Sequence, residues 1–221
     1  DTSILNFPQM FLNTFVIAIF TCIISTVFVL SVSYTMSRMR FKMRKPYMNI
    51  AMILGLFPSF MSMIAVYYIL KALGLAEGSM IRIALIIVFS AGSGVGFYVA
   101  KGFFDTIPKS LDEAAIIDGA TRWQVFTKIT VPLSKPIIVY TILTSFMGPW
   151  VDFIFAKVIC RADAQYYTVS IGLWRMLEKE YIDSWYTCFA AGAVVVSIPI
   201  AILFLITQKF YVEGMSGAVK G

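Results

Sequence analysis

Few residues in this chain could do chemistry. It has no histidine, and Cys22, Cys160 and Cys188 lie far apart with no CxxC spacing. A zinc site, a haem attachment and histidine-based acid–base catalysis therefore lack their parts, so we expect no catalytic residue, no metal site and no cofactor bound by this chain. There is also no Walker A sequence, so the chain has no P-loop with which to hydrolyse ATP.

One acidic residue stands among aromatic ones. Asp152 lies next to Phe153 and close to Trp150, near the end of a long apolar run. Aromatic rings can stack on sugar faces while a carboxylate accepts hydroxyl protons, so these three residues could line a carbohydrate path. The alternative is an Asp152 near the membrane interface that pairs with Lys157 or caps a break at Pro149.

The composition indicates which elements must position these residues. Hydrophobic residues make up 59% of the 221 residues and charged residues only 14%. The apolar residues form long uncharged blocks, which is typical of helices in lipid. The sequence predicts an all-α, polytopic transmembrane bundle with five membrane helices, at about 11–36, 48–70, 83–100, 136–158 and 186–208.

The positive charges predict the orientation of these helices. The first connection holds five basic residues and no acid between Arg38 and Lys45, and the third is also rich in Lys and Arg, so both should be cytoplasmic. The C-terminus is then cytoplasmic and Asp1 lies outside, so we expect at least one further membrane helix before Asp1. Because the net charge of +6 sits mostly beside apolar blocks, it argues against nucleic-acid binding.

The third connection, about 105–135, predicts two short helices. Ser110 and Glu113 have the spacing of a capping box, which favours a helix from about Leu111 to Asp118. Gly119 supplies a left-handed position that stops this helix.

The second of these helices begins with the same spacing. Thr121 and Gln124 form another capping-box pair. Pro132 and Pro136 should end or kink the helix that follows.

The first short helix has a face of small residues. Leu111, Ala114 and Ala115 follow the i, i+3, i+4 spacing of one helical face. Two alanines remove side-chain bulk, so the surface of another protein can approach the backbone closely. The alternative is that both capped helices merely pack against the membrane bundle.

A resemblance to a known family rests on this segment. Glu113-Ala114-Ala115, three residues, Gly119, nine residues and then Ile129-Thr130-Val131-Pro132 resembles the EAA motif of permease subunits in binding-protein-dependent ABC importers, with Val131 in place of Leu. In that family the motif docks into a cleft of the cytoplasmic ATPase. The implied coupling residues are Leu111, Asp112, Glu113, Ala114, Ala115, Gly119 and Pro132. The sequence leaves two roles open for Glu113: it could cap its own helix, contact the ATPase, or do both.

The C-terminal tail, 209–221, is similar to the tail of maltose-type sugar permeases, whose second permease subunit ends in a similar Gly-Ala-Val-Lys-Gly run. The resemblance implies contact of Gly214, Gly217, Lys220 and Gly221 with the ATPase, and the alternative is a disordered end. It also implies contact between the external loop, about 159–185, and a solute-binding protein. The alternative there is an ordinary solvated loop.

The resemblance covers residues 1–221 as one permease domain with the type I ABC importer fold. It implies a multi-pass subunit of the bacterial inner (cytoplasmic) membrane that imports a sugar, a malto- or other oligosaccharide, by alternating access. The implied partners are a second permease in a heterodimer, two ATPase subunits that hold ATP and Mg, and an extracytoplasmic solute-binding protein. An importer for a polyamine, phosphate or amino acid is the main alternative, and the tail favours sugar. A secondary transporter or channel would show inverted repeats or an intramembrane charge pathway, and the sequence shows neither.

Overall fold

The computed structural model describes residues 5–56, 59–91, 96–161 and 163–218, and within these ranges it is helical with no β-strand. The helices are α1 Phe7–Arg38, α2 Arg44–Gly55, α3 Ser59–Ala72, α4 Met80–Ala91, α5 Gly96–Thr106, α6 Lys109–Ile117, α7 Arg122–Val125, α8 Val131–Leu133, α9 Lys135–Val151, α10 Ile154–Cys160, α11 Val169–Met176 and α12 Ile182–Ala218. A π-helical turn, Phe126–Thr130, joins α7 to α8, and a 3-10 turn, Ala164–Tyr166, precedes α11.

Helix α1 is the central element of the bundle. Its first turn is capped by Asn6, whose side chain accepts from the Gln9 amide at 3.1 Å, and it runs for 32 residues, or about 48 Å. It ends at Met39, where the backbone turns extended with φ −91° and ψ 145°. Helices α9, α5, α4 and α11 pack against it.

The number of spans differs from the prediction of five. By length and composition, α1 and the Ile182–Phe210 part of α12 are the 2 described helices that could cross a membrane, and the count reaches 4 if each of two bent helix pairs is one span. The predicted spans 48–70, 83–100 and 136–158 each fall on two consecutive helices instead of one. Five spans are therefore not confirmed, because hydropathy registers apolar length and not the breaks within it.

The buried apolar residues form two clusters along α1. One lies towards the Phe7 end and includes Met10 and Ile17, and the other lies towards the Arg38 end and includes Val29, Tyr34 and Phe97. Small polar residues let neighbouring backbones approach α1 closely; the Ser33 hydroxyl, for example, donates to the Phe97 carbonyl at 2.9 Å. The Arg38 end of α1 is thus fixed to α5.

Region 159–185, predicted as an external loop, is mostly folded. It contains α11, in which Val169, Ile171, Gly172 and Met176 are buried. Asn13 of α1, only 1% exposed, donates to the carbonyls of Gln165 at 2.9 Å and Tyr167 at 3.1 Å. An ordinary solvated loop is therefore wrong for 163–176, because this stretch buries apolar side chains and is bonded to α1.

Candidate functional site

The segment that resembles the EAA motif follows the short connection between α5 and α6, Ile107 and Pro108, which we call the α5–α6 joint. Helix α6 begins at Lys109, with Pro108 in the N-cap position at φ −56° and ψ 129° and no side-chain hydrogen bond to the cap. The predicted capping box of Ser110 and Glu113 is wrong. Pro108 favours the extended conformation that precedes a helix, so the helix starts before Ser110 and places that residue inside its first turn.

The end of α6 agrees with the prediction. Gly119 has φ +86°, and its amide donates to the Ile116 carbonyl at 3.0 Å, while the Ala120 amide donates to the Ala115 carbonyl at 2.9 Å. This pair of bonds is a Schellman motif, which satisfies carbonyls that the helix leaves open. The role of Gly119 as the stop signal of α6 is confirmed.

The second cap is also confirmed. The Thr121 hydroxyl accepts from the Gln124 amide at 3.3 Å, and Gln124 Oε1 accepts from the Thr121 amide at 2.7 Å, as a capping box requires.

The proline bend follows this second helix. The chain passes through the π-helical turn, and α9 leaves Arg122–Leu133 at 81°. Pro132 and Pro136 donate no backbone hydrogen bond, which explains why the regular α-helical pattern is interrupted between α7 and α9.

Helix α6 presents an apolar surface, which we call the α6 face. Leu111 and Ala114 are exposed as predicted, while Ala115 is half-buried. Ile117, which is 85% exposed, follows Ala114 by three residues and extends this face, while Ile116 and, on α7, Trp123 at 69% are exposed outside it. The sequence signal for Ile117 was its position three residues after Ala114, which continues the same helical face. Exposed apolar residues grouped in this way are typical of a protein-binding surface.

Two adjacent acidic residues of α6 have opposite environments. Asp112 is buried, and its Oδ2 lies 3.1 Å from Nε of Arg38, with side-chain exposures of 13% and 4%. Glu113 is exposed and forms no ion pair with any of the described residues. Of the two roles considered for Glu113, its own cap is excluded because the cap does not form.

The last turn of α1 holds this segment. The Arg38 Nη2 donates to the Ile107 carbonyl at 2.8 Å, and the Ser37 hydroxyl donates to Asp105 at 2.6 Å. The Tyr34 ring packs on Phe126 at 4.7 Å between centroids. Sequence reasoning used Arg38 only to orient the membrane helices and missed these contacts, which no local sequence signal reveals.

The three residues predicted to line a sugar path all border one open cavity of about 820 Å³, and each also makes contacts of its own. Trp150 is 3% exposed and packs edge-on against Phe11 at 5.3 Å, and Phe153 packs on Trp174 at 4.9 Å. Asp152 Oδ1 accepts from the Ala156 amide at 3.1 Å in the first turn of α10, so it caps a break as the alternative interpretation proposed, but that break follows Val151 and Pro149 lies inside α9.

Asp152 also borders a cavity of about 770 Å³ that is otherwise mainly apolar. Its polar lining includes a strip of α9 with the hydroxyl-bearing residues Tyr140, Thr141, Thr144 and Ser145. That Trp150, Asp152 and Phe153 line a sugar path remains a prediction.

The predicted C-terminal tail, 209–221, is not separate from the last helix over its described residues. Helix α12 continues to Ala218 and includes Gly214 and Gly217, so residues 209–218 extend the predicted fifth span. Lys220 and Gly221 lie outside the described residues. Within the described part of the chain, no three His, Cys, Asp or Glu residues lie close enough together to hold a metal ion.

A family model described as "Binding-protein-dependent transport system inner membrane component" matches residues 29–216. The chain belongs to this family. The family predicted from the EAA-like segment is therefore confirmed, and the chain is a multi-pass membrane permease with relatives in sugar transport.

Two curated relatives are similar to the permease over nearly its whole length. The galactooligosaccharides transport system permease protein of Bacillus subtilis (strain 168) is 35% identical over 98% of this chain and 76% of its own. The maltodextrin transport system permease protein of Streptococcus pneumoniae (strain ATCC BAA-255 / R6) is 32% identical over 96% of this chain and 74% of its own.

A solved structure shares the fold of the permease. It belongs to a bacterial ABC transporter involved in the import of the acidic polysaccharide alginate, and it superposes with a TM-score of 0.75 over 93% of this chain and 75% of that chain, at 24% identity. At this identity, the similarity supports the fold.

Proposed function

We propose that this permease moves an oligosaccharide of the malto- or galacto- type into a bacterial cell by alternating access, driven by a separate ATPase. The observation that carries the proposal is that the two adjacent acids of α6 have opposite environments. Asp112 is buried and holds the helix to α1, while Glu113 and the α6 face are exposed and available to a partner. The names of the two curated relatives favour an oligosaccharide over other solutes.

The ATPase partner would bind the α6 face. A cleft that receives α6 would bury Ile117, which is 85% exposed, together with Leu111, and would pair a basic residue with Glu113. ATP and Mg would belong to that partner, since this chain has no P-loop. Closure of the ATPase dimer would then move α6 and the helices joined to it.

The rest of the assembly follows from the same proposal. A second permease subunit would form a heterodimer with this one, and two ATPase subunits would lie on the cytoplasmic side with the end of α12. An extracytoplasmic binding protein would contact the segment between α10 and α12. Gly214, Gly217, Lys220 and Gly221 would contact the ATPase.

Reconstitution tests the proposal. The permease, its partner permease, the ATPase and the binding protein are placed in proteoliposomes, and uptake of labelled maltotriose and galactotriose is measured with and without ATP. We expect uptake of at least one probe, and we expect it to stop when the ATPase is omitted. Uptake that continues without the ATPase would reject the importer model.

A further inference from the structure

We infer that the ion pair between Arg38 and Asp112 is the link that carries movement of α6 into α1, the central membrane helix. The inference rests on the proposed function, because it assumes that an ATPase moves α6. It assigns to Arg38 a positioning role in transport, in addition to its role in membrane orientation.

The first step is that the attachment of α6 to α1 is ionic. Asp112 is the only buried residue of α6, a helix of 9 residues. An amphipathic helix that merely packed on the bundle would bury apolar residues, yet here Leu111, Ile116 and Ile117 are all exposed. The buried contact of α6 is therefore a carboxylate on a guanidinium.

The second step is that Arg38 contacts residues on both sides of Pro108, in the α5–α6 joint. Its Nη2 donates to the Ile107 carbonyl at 2.8 Å, and its Nε lies 3.1 Å from Asp112 Oδ2. Pro108, between these two contacts, is the N-cap of α6. A shift of α6 therefore pulls on the last turn of α1 directly, without passing through a flexible loop.

The third step is that this pair can remain joined while α6 moves. Nε of Arg38 lies 3.1 Å from Oδ2 of Asp112 without forming a hydrogen bond, and Nε and Nη1 of Arg38 and Oδ1 of Asp112 have no hydrogen-bond partner among the described residues. A guanidinium and a carboxylate can form two parallel hydrogen bonds, so the spare donor and acceptor allow the two groups to rotate against each other without separating. Apolar contacts would let the surfaces slide past each other instead.

The test compares four variants of the fully assembled importer in proteoliposomes. Arg38→Met leaves a buried acid without its partner, and Arg38→Met with Asp112→Leu removes both charges, so it leaves no unpaired buried charge. Arg38→Lys keeps the positive charge, and Arg40→Met is the matched control because Arg40 is exposed and has no ion pair among the described residues. Copurification of the ATPase is measured, together with maltotriose and galactotriose uptake per ATP hydrolysed.

We expect the double variant to copurify with the ATPase while its uptake per ATP hydrolysed falls roughly fivefold or more, the lower end of typical coupling between sites. Arg38→Lys, which keeps the charge but not the several donors of the guanidinium, should retain part of the ratio, Arg38→Met should lose it, and Arg40→Met should match the original chain. A normal ratio in the double variant would overturn the inference, and so would its failure to assemble or an equal loss in Arg38→Lys and Arg38→Met. Absence of ATP-dependent uptake in the original chain would instead contradict the proposed function.

Discussion

Asp112 and Glu113 are neighbours on one short helix, yet the first is buried against Arg38 and the second is exposed. Successive residues of an α-helix point about 100° apart, so one acid can hold the helix to its own chain while the next faces outward. This division separates two effects of mutation, on the permease itself and on the contact that we propose with an ATPase.

Glu113→Gln should leave the permease as stable as before, because Glu113 has no ion pair among the described residues and does not cap α6. The substitution removes the charge offered to the ATPase, so ATP hydrolysis stimulated by the binding protein should decrease. Thermal unfolding in detergent and stimulated ATPase activity in proteoliposomes measure the two effects. Asp112→Asn is the contrasting variant, and it should lower the unfolding temperature. Unchanged ATPase stimulation in Glu113→Gln would contradict a charged docking role.

Ile117→Ser should weaken binding of the ATPase without destabilising the permease. The side chain is 85% exposed, so the permease alone loses almost no packing, whereas a docked partner would lose roughly 1.5–3 kcal/mol of apolar burial. Copurification of the ATPase at increasing salt and detergent measures this. Ile81→Ser, at a position only 2% exposed, is the control that should reduce stability. If Ile117→Ser retained the ATPase fully, the α6 face would not be the docking surface.

The two predicted capping boxes can be compared directly. Thr121→Ala removes a hydroxyl that accepts from the Gln124 amide and should destabilise α7 by about 0.5–2 kcal/mol. Ser110→Ala lies inside the first turn of α6, where no side-chain cap bond forms, and should have little effect. Hydrogen exchange of the amides in residues 121–126 and 109–114 distinguishes the two. Equal exchange rates in both variants would contradict the assigned caps.

Gly119→Ala should strain the α6–α7 turn through its backbone alone. Gly119 has φ +86°, and a Cβ placed there would meet no atom within 4 Å. The cost is therefore conformational, roughly 1–2 kcal/mol, and Gly119→Asn should cost less because Asn tolerates this region better. Thermal unfolding of the two variants should give the order glycine, asparagine, alanine. Alanine as stable as glycine would show that the turn adopts another conformation.

Asn13→Leu should loosen the segment before α11. Asn13 accepts from Arg82 at 3.0 Å and donates to the carbonyls of Gln165 and Tyr167, so removing its amide takes a partner from each of these groups and should cost about 1–3 kcal/mol, mainly at the buried Tyr167 carbonyl. Hydrogen exchange in residues 163–168 should rise. Asn49→Leu, at an exposed position, is the control and should leave this exchange unchanged. Protection that survives in Asn13→Leu would show that packing of α11 alone holds the segment.

The features that could be predicted are those whose cause is local. Gly119 and the Thr121–Gln124 cap depend on residues within a few positions of one another, and the structure has both. The prediction of a Ser110–Glu113 cap was wrong for a local reason too, because Pro108 is the N-cap residue and Ser110 lies inside the first turn. The first and last long apolar blocks likewise predict α1 and α12. The breaks within the other apolar blocks cannot be read from hydropathy.

The sequence by itself determined the membrane class and the family, through composition and motif spacing, and the end of the short α6 helix, because its glycine stop acts over a few residues. Only the tertiary structure decided which acid of α6 faces inward. Arg38 and Asp112 are 74 positions apart in the chain numbering, and their contact exists because α5 returns along α1 and brings the start of α6 to its last turn. Burial of either group then requires the other, since a charge removed from water needs an opposite charge beside it.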